Sequence, residues 1–270
     1  MGSLTPSIDV IILSGQSNMA GRGGLTTKLS EDGTTTKEWD GAVPLECQVE
    51  QGTILRLSVD LEWENAQEPL HFDIDTGKPC GLGPGLVFAS SVIQSCKAMG
   101  KMPVPVLGLV PCAIGGTSIK EWEKGSPLYE QMIRRVRAAV DKGGVLRALL
   151  WYQGESDTLS EDLARDFRRR LEIFIANVRC DLQSENLPFI QVGITADNHP
   201  HPHFVTQIRE AQLEINLPRV YYVDAHGLPL QEDRVHLTSE AQVQLGKMLA
   251  DVYLKYILRP AGDSEHLLDN

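Results

Sequence analysis

Short runs of consecutive apolar residues recur along the chain, separated by stretches whose apolar positions repeat at helical spacing. The runs fall at residues 8–13, 105–110, 146–152, 188–194 and 219–224. Each has strand length, and each is predominantly apolar rather than alternating, as in a strand covered on both faces. Amphipathic helical patterns occupy 86–99, 128–141, 161–182, 205–215 and 239–258. Strand and helix in alternation predict a parallel sheet with right-handed crossovers and helices on both faces. The expected fold class is α/β.

Residues 21–84 break this rhythm. They are rich in Gly, Thr, Asp and Glu and hold no long periodic pattern. They are expected to form an irregular insertion of short strands and turns, packed across the carboxyl edge of the sheet. Residues 261–270 form a polar tail expected to fray. Residues 1–260 are thus expected to be a single domain carrying one insertion, a usual size for an α/β unit.

Composition narrows the partners. The formal net charge is −11, from 36 acids and 25 bases. Nucleic acid and anionic membrane would both repel such a chain, so neither is expected as a partner. The apolar runs are too short to span a bilayer. The five cysteines, Cys47, Cys80, Cys96, Cys112 and Cys180, are odd in number and form no CxxC pair. They are expected as reduced thiols. The first ten residues, MGSLTPSIDV, lack a basic region followed by a long apolar stretch. No signal peptide is evident, and a cytoplasmic location is the expectation.

The first apolar run leads straight into Ser14-Gly15-Gln16-Ser17-Asn18-Met19. In an open parallel sheet, ligands bind at the carboxyl ends of the strands. Ser17 therefore stands where a hydroxyl could attack a carbonyl, with its own N–H available to the resulting oxyanion. Serine is also a common helix cap, and that role remains open at this point. A serine nucleophile needs a base. His236 lies in Gln231-Glu232-Asp233-Arg234-Val235-His236-Leu237. An Asp three residues before a His can fold back in one turn and hold its Nδ1 proton, leaving Nε2 free for the serine. The rival pair, Asp224 and His226, closes the last strand-like run. If that strand persists, the two side chains project in parallel from about 6.5 Å apart and meet less readily.

Two further segments follow strand-like runs. Gly115-Gly116 lies in a turn that could bring a backbone N–H close to a ligand, either glycine serving as an oxyanion donor. Gln153, in Trp151-Tyr152-Gln153-Gly154-Glu155-Ser156-Asp157, carries a neutral amide donor that could reach the same oxygen. Glu155 could orient Gln153 or simply begin a helix. The alternating histidines His199, His201 and His203 could bind a metal if Asp197 joined them, or form an exposed loop beside the cleft. Trp63, Trp122 and Tyr152 are candidate platforms for a sugar.

Taken together, GQSNM at 15–19, GPG at 83–85, GGTSI at 115–119, WYQGESD at 151–157 and DRVHL at 233–237 resemble the SGNH (GDSL-type) hydrolase superfamily. The likeness is to its carbohydrate esterase and sialate O-acetylesterase-like branch, and covers roughly residues 8–257. It implies a three-layer α/β/α sandwich with a five-stranded parallel sheet, of flavodoxin-like build. It implies Ser17 as nucleophile, His236 as base and Asp233 as its acid partner. Ser17, a glycine of the Gly115-Gly116 pair, and Gln153 map to the oxyanion hole. The expected activity is hydrolysis of acetyl or other short acyl esters on a carbohydrate or glycoside, with no metal or organic cofactor. The substrate would be a small-molecule or oligosaccharide ester. Alternatives on the same fold are a lipid or thioester hydrolase and a catalytically silent carbohydrate-binding protein.

Overall fold

The computed structural model describes residues 7–29, 32–101, 103–195 and 202–258. All five strand-like runs become strands: β1 (Ile8–Gly15), β6 (Val106–Pro111), β7 (Gly144–Tyr152), β8 (Phe189–Gly193) and β9 (Val220–Asp224). All five helical patterns become helices: α2 (Gly85–Ala98), α3 (Pro127–Asp141), α4 (Glu161–Asp181), α5 (Pro202–Leu213) and α6 (Ser239–Tyr253). A one-turn helix, α1 (Ser17–Ala20), follows β1 directly. Side-chain caps account for three of the helix starts. Ser126 accepts from the Tyr129 N–H ahead of Pro127, Ser160 from Leu163 and Thr238 from Ala241.

The insertion contributes four more strands: β2 (Leu25–Leu29), β3 (Thr35–Trp39), β4 (Ile54–Leu57) and β5 (Trp63–Asn65). β2 and β3 form a separate antiparallel ribbon. The main sheet has the order β5-β4-β6-β1-β7-β8-β9. Every pairing in it is parallel except β4 with β5. The sheet thus has seven strands where five were expected. β4 escapes a reading by pattern because Arg56 sits in its middle. That side chain is fully buried, paired with Glu64 and Asp73 and donating from Nε to the Leu70 carbonyl at 3.2 Å. A charged residue inside a buried strand is tolerated only when its partners come with it.

α2 and α6 share one face of the sheet, with Phe88 meeting Tyr253 edge-on at 5.5 Å. On the other face an aromatic cluster joins α3 and α4 to the sheet. Phe174 of α4 meets Tyr129 of α3, Trp151 of β7 and Phe189 of β8 at 4.6–6.3 Å. β1 lies between β6 and β7 and is buried from Val10 onward. After β4, β5 and β6 on one side of β1 the chain crosses to β7, β8 and β9 on the other, so the switch point of the topology falls at the carboxyl end of β1.

Candidate active site

Ser17 is the first residue of α1, just past that switch point. Gly15, the last residue of β1, has φ +126°, and a Cβ there would stand 2.2 Å from the Tyr152 carbonyl oxygen. Only glycine allows β1 to press this closely on β7 and turn at once into the helix. The Gln16 N–H closes the turn onto the same carbonyl at 2.8 Å. Ser17 is 4% exposed, with its hydroxyl turned to the loop before α6.

That loop carries the DRVH segment. Asp233 Oδ1 accepts from the backbone N–H groups of Val235 and His236 at 3.1 and 2.9 Å. Its Oδ2 lies 2.8 Å from His236 Nδ1, and His236 Nε2 lies 2.9 Å from Ser17 Oγ. A carboxylate can only accept, so Nδ1 carries the proton and Nε2 presents a lone pair to the serine. Burial of Asp233 works to raise its pKa. The bonds from the His236 ring and from two backbone N–H groups, with the ring's charge, outweigh it and hold the carboxyl at about 2. Burial lowers the pKa of His236, and the positive charges of Arg22 and Lys37 act the same way; the bond to Asp233 opposes them. Lys37, on β3, stands 3.5 Å from Asp233 Oδ2. The rival Asp224 is paired with Arg209 at 2.9 Å and meets His226 only at the backbone N–H.

The remaining candidates lie around Ser17. Gly116 has φ +76° and lines a cleft of about 230 Å³ together with Ser17, His236, Arg22, Lys78 and Glu155. Neither the Ser17 N–H nor the Gly116 N–H has a hydrogen-bond partner among the described residues. The Gly115 N–H donates to Asp75 Oδ2 at 3.1 Å, and Asp75 is itself in a buried ion pair with Arg22. The Lys78 Nζ donates to the Gly115 carbonyl at 3.1 Å. Gln153 is fully buried. Its amide nitrogen donates to the Thr117 carbonyl at 3.0 Å and to Asp157, whose carboxylate also accepts from the Ile119 N–H. The Gln153 amide therefore braces the turn that carries Gly116. Burial pushes both Glu155 and Asp157 up to about 7, against the hydrogen bonds they accept.

The three proposed sugar platforms lie elsewhere. Trp122 and Tyr152 are fully buried, Trp122 edge-on to Trp151 at 5.3 Å. Trp63 covers Gly108 in the sheet. Asp197, His199 and His201 fall outside the described residues, and His203 lies on α5. Among the described residues no group of three or more metal-ligating side chains occurs. Sequence reasoning assigned no role to Arg22, Asp75 and Lys78, which reach the site from the insertion. No spacing rule ties them to the GGTSI segment they contact. It also assigned none to Asn18, which the GQSNM segment had displayed.

A sequence profile for carbohydrate esterases, described as sialic acid-specific acetylesterases, matches residues 7–255. A protein of Arabidopsis thaliana named as a probable carbohydrate esterase is 48% identical over 265 residues, covering 94% of this chain and 97% of that one. An X-ray structure of an Arabidopsis thaliana protein, also 48% identical, superposes with a TM-score of 0.85 over 93% of this chain and all of that one. The NanS crystal structure is similar in fold, with a TM-score of 0.72 at 15% identity over 93% of this chain and 98% of that one. The chain belongs to the carbohydrate esterase, sialic acid-specific acetylesterase family, and is a carboxylic ester hydrolase.

Proposed function

We propose that the protein removes acetyl groups from a carbohydrate or glycoside, with Ser17 as nucleophile, His236 as base and Asp233 as the acid that orients it. The hydrogen-bonded line from Asp233 through His236 to Ser17, opening on the cleft, carries this reading. Ser17 Oγ attacks the acetyl carbonyl as its proton passes to His236 Nε2. The Ser17 and Gly116 N–H groups receive the oxyanion, with Gly115 and Gln153 holding that turn in place. Collapse of the intermediate expels the sugar hydroxyl, which takes the proton from His236. Water then attacks the acetyl-serine through the same base, and acetate leaves with the Ser17 hydroxyl restored. The cleft is small, about 230 Å³, and its lining is mostly apolar, with Leu159 and Val235 beside Ser17 and His236, which suits a short acyl group better than a long alkyl chain.

Acetate release from acetylated xylan, O-acetylated sialic acids and small acetylated glycosides, alongside p-nitrophenyl esters of increasing chain length, tests the substrate class. Activity on at least one sugar ester and a fall with acyl length are expected. Inactivity on every sugar with strong turnover of long acyl chains would overturn it. Ser17→Ala tests the nucleophile: its kcat should fall by at least about 10³-fold.

A further inference from the structure

Asn18 follows Ser17 on the same helical turn and is fully buried. Its side-chain amide touches both neighbours of His236. Nδ2 donates to the Val235 carbonyl at 3.1 Å, and Oδ1 accepts from the Leu237 N–H at 3.0 Å. The second Nδ2 proton goes to Glu155 Oε1 at 2.7 Å. The Asn18 carbonyl is tied to α6 by Gln242 Nε2 at 3.1 Å. We infer that Asn18, oriented by Glu155, is a positioning residue that sets His236 over Ser17. This rests on the assignment of Ser17 and His236 made above.

The chemistry of the amide explains why this residue type fits. It offers a donor edge and an acceptor edge on one rigid plane. The loop around His236 needs both, because it presents a carbonyl on one side of the histidine and an N–H on the other. An amide could sit flipped, with its two ends exchanged. The Val235 carbonyl and the Leu237 N–H both oppose the flip, and Glu155, accepting at Oε1, adds to that preference. Burial strengthens that choice, because an unsatisfied polar group here costs more than at the surface. Glu155 reaches the spot from the turn after β7, Asn18 from the turn after β1, and His236 from the loop before α6. One small side chain thus ties together three segments distant in sequence.

A specific failure follows from losing it. Asp233 and His236 form their bond within a single turn, so the pair travels with the loop. The contact that opens is the one between His236 and Ser17. Substrate binding is little affected, while proton transfer loses its alignment. A displacement of about 1 Å at such a contact can cost about 10²-fold in rate.

The test measures kcat and KM for p-nitrophenyl acetate in Asn18→Ala, Asn18→Asp, Glu155→Gln and Glu155→Leu, with Ser17→Ala as reference. The rate at which an organophosphonate labels Ser17 is read in parallel, and circular dichroism checks folding. In Asn18→Ala, kcat and the labelling rate should fall together by about 10²-fold with KM within about twofold. Asn18→Asp keeps the side-chain size but loses the donor, and should fall at least as far. It carries the test if the alanine variant does not fold. Glu155→Gln keeps an acceptor for Asn18 and should lose less activity than Glu155→Leu, which should resemble Asn18→Ala. Combining Asn18→Ala with Glu155→Leu should add little, because the two act as one unit. In proton NMR, the downfield signal of the His236–Asp233 bond should persist in Asn18→Ala. Folded Asn18→Ala and Asn18→Asp with kcat within about threefold of the parent, or a rise in KM alone, would overturn the inference. If Ser17→Ala itself retained full activity, the underlying site assignment would fail instead.

Discussion

His236 Nε2 lies 2.9 Å from Ser17 Oγ across 219 positions of sequence. In the proposed mechanism the histidine must be neutral to accept the serine proton, and burial lowers its pKa. The acidic limb of kcat/KM should therefore have its midpoint below the ordinary histidine value of about 6.5. In Asp233→Asn the partner that raises the histidine pKa is gone, and so is control of the tautomer. The limb should move to still lower pH, and kcat should fall by about 10⁴-fold. A pH–rate profile of both proteins checks this, and a midpoint above that of free histidine in the parent would contradict it.

Gly15→Ala should be among the most damaging single-atom-group additions in the chain. Its Cβ would meet the Tyr152 carbonyl at 2.2 Å in a backbone conformation that alanine rarely adopts. A loss of about 3 kcal/mol or more is expected, together with displacement of Ser17. Urea unfolding measures the first and the Ser17 labelling rate the second. An alanine variant with parental stability would show that β1 and β7 do not press together here.

Arg135 is fully buried and donates to three backbone carbonyls, those of Pro111 at 2.9 Å, Ser58 at 2.9 Å and Leu57 at 2.7 Å. It stitches α3 to the ends of β6 and β4. Arg135→Met keeps the stem but leaves those carbonyls unpaired, so a loss of about 3 kcal/mol is expected. A change below about 1 kcal/mol in denaturant unfolding would be inconsistent with this role.

Glu68 is buried, and burial raises its pKa to about 8, against the Leu70 N–H that its carboxyl accepts at 3.0 Å. Its folded value lies above the unfolded value of about 4.3. The group therefore stabilises the fold fully below that value, and the contribution is lost as pH rises toward 8. Glu68→Gln should flatten the decline in stability between pH 5 and pH 8, and its advantage over the parent should grow with pH. Unfolding midpoints across that range decide the matter, and parallel curves for the two proteins would refute it.

The five apolar runs and the five helical patterns were legible because each is local. Mostly apolar runs of strand length between turn residues read as buried strands, and capped periodic stretches have few alternatives to a helix. The Asp233–His236 pair was legible for the same reason, since a three-residue spacing closes within one turn. β4 was hidden because Arg56 looks like surface until Glu64, Asp73 and the Leu70 carbonyl are brought around it. Trp122 looked like a platform because a tryptophan's exposure depends on its neighbours, here Trp151 and Phe174.

By itself, the sequence determined the α/β class, the place of Ser17 at the end of the first strand, and the acid beside its histidine. All three follow from residues close enough in the chain to constrain one another. The tertiary structure alone decided that His236 meets Ser17, that Asn18 bonds the backbone of both residues flanking the histidine, and that Arg22 and Lys78 of the insertion border the cleft. Those contacts join segments far apart in sequence, and only the packed sheet brings β1, β7 and the loop before α6 to one edge.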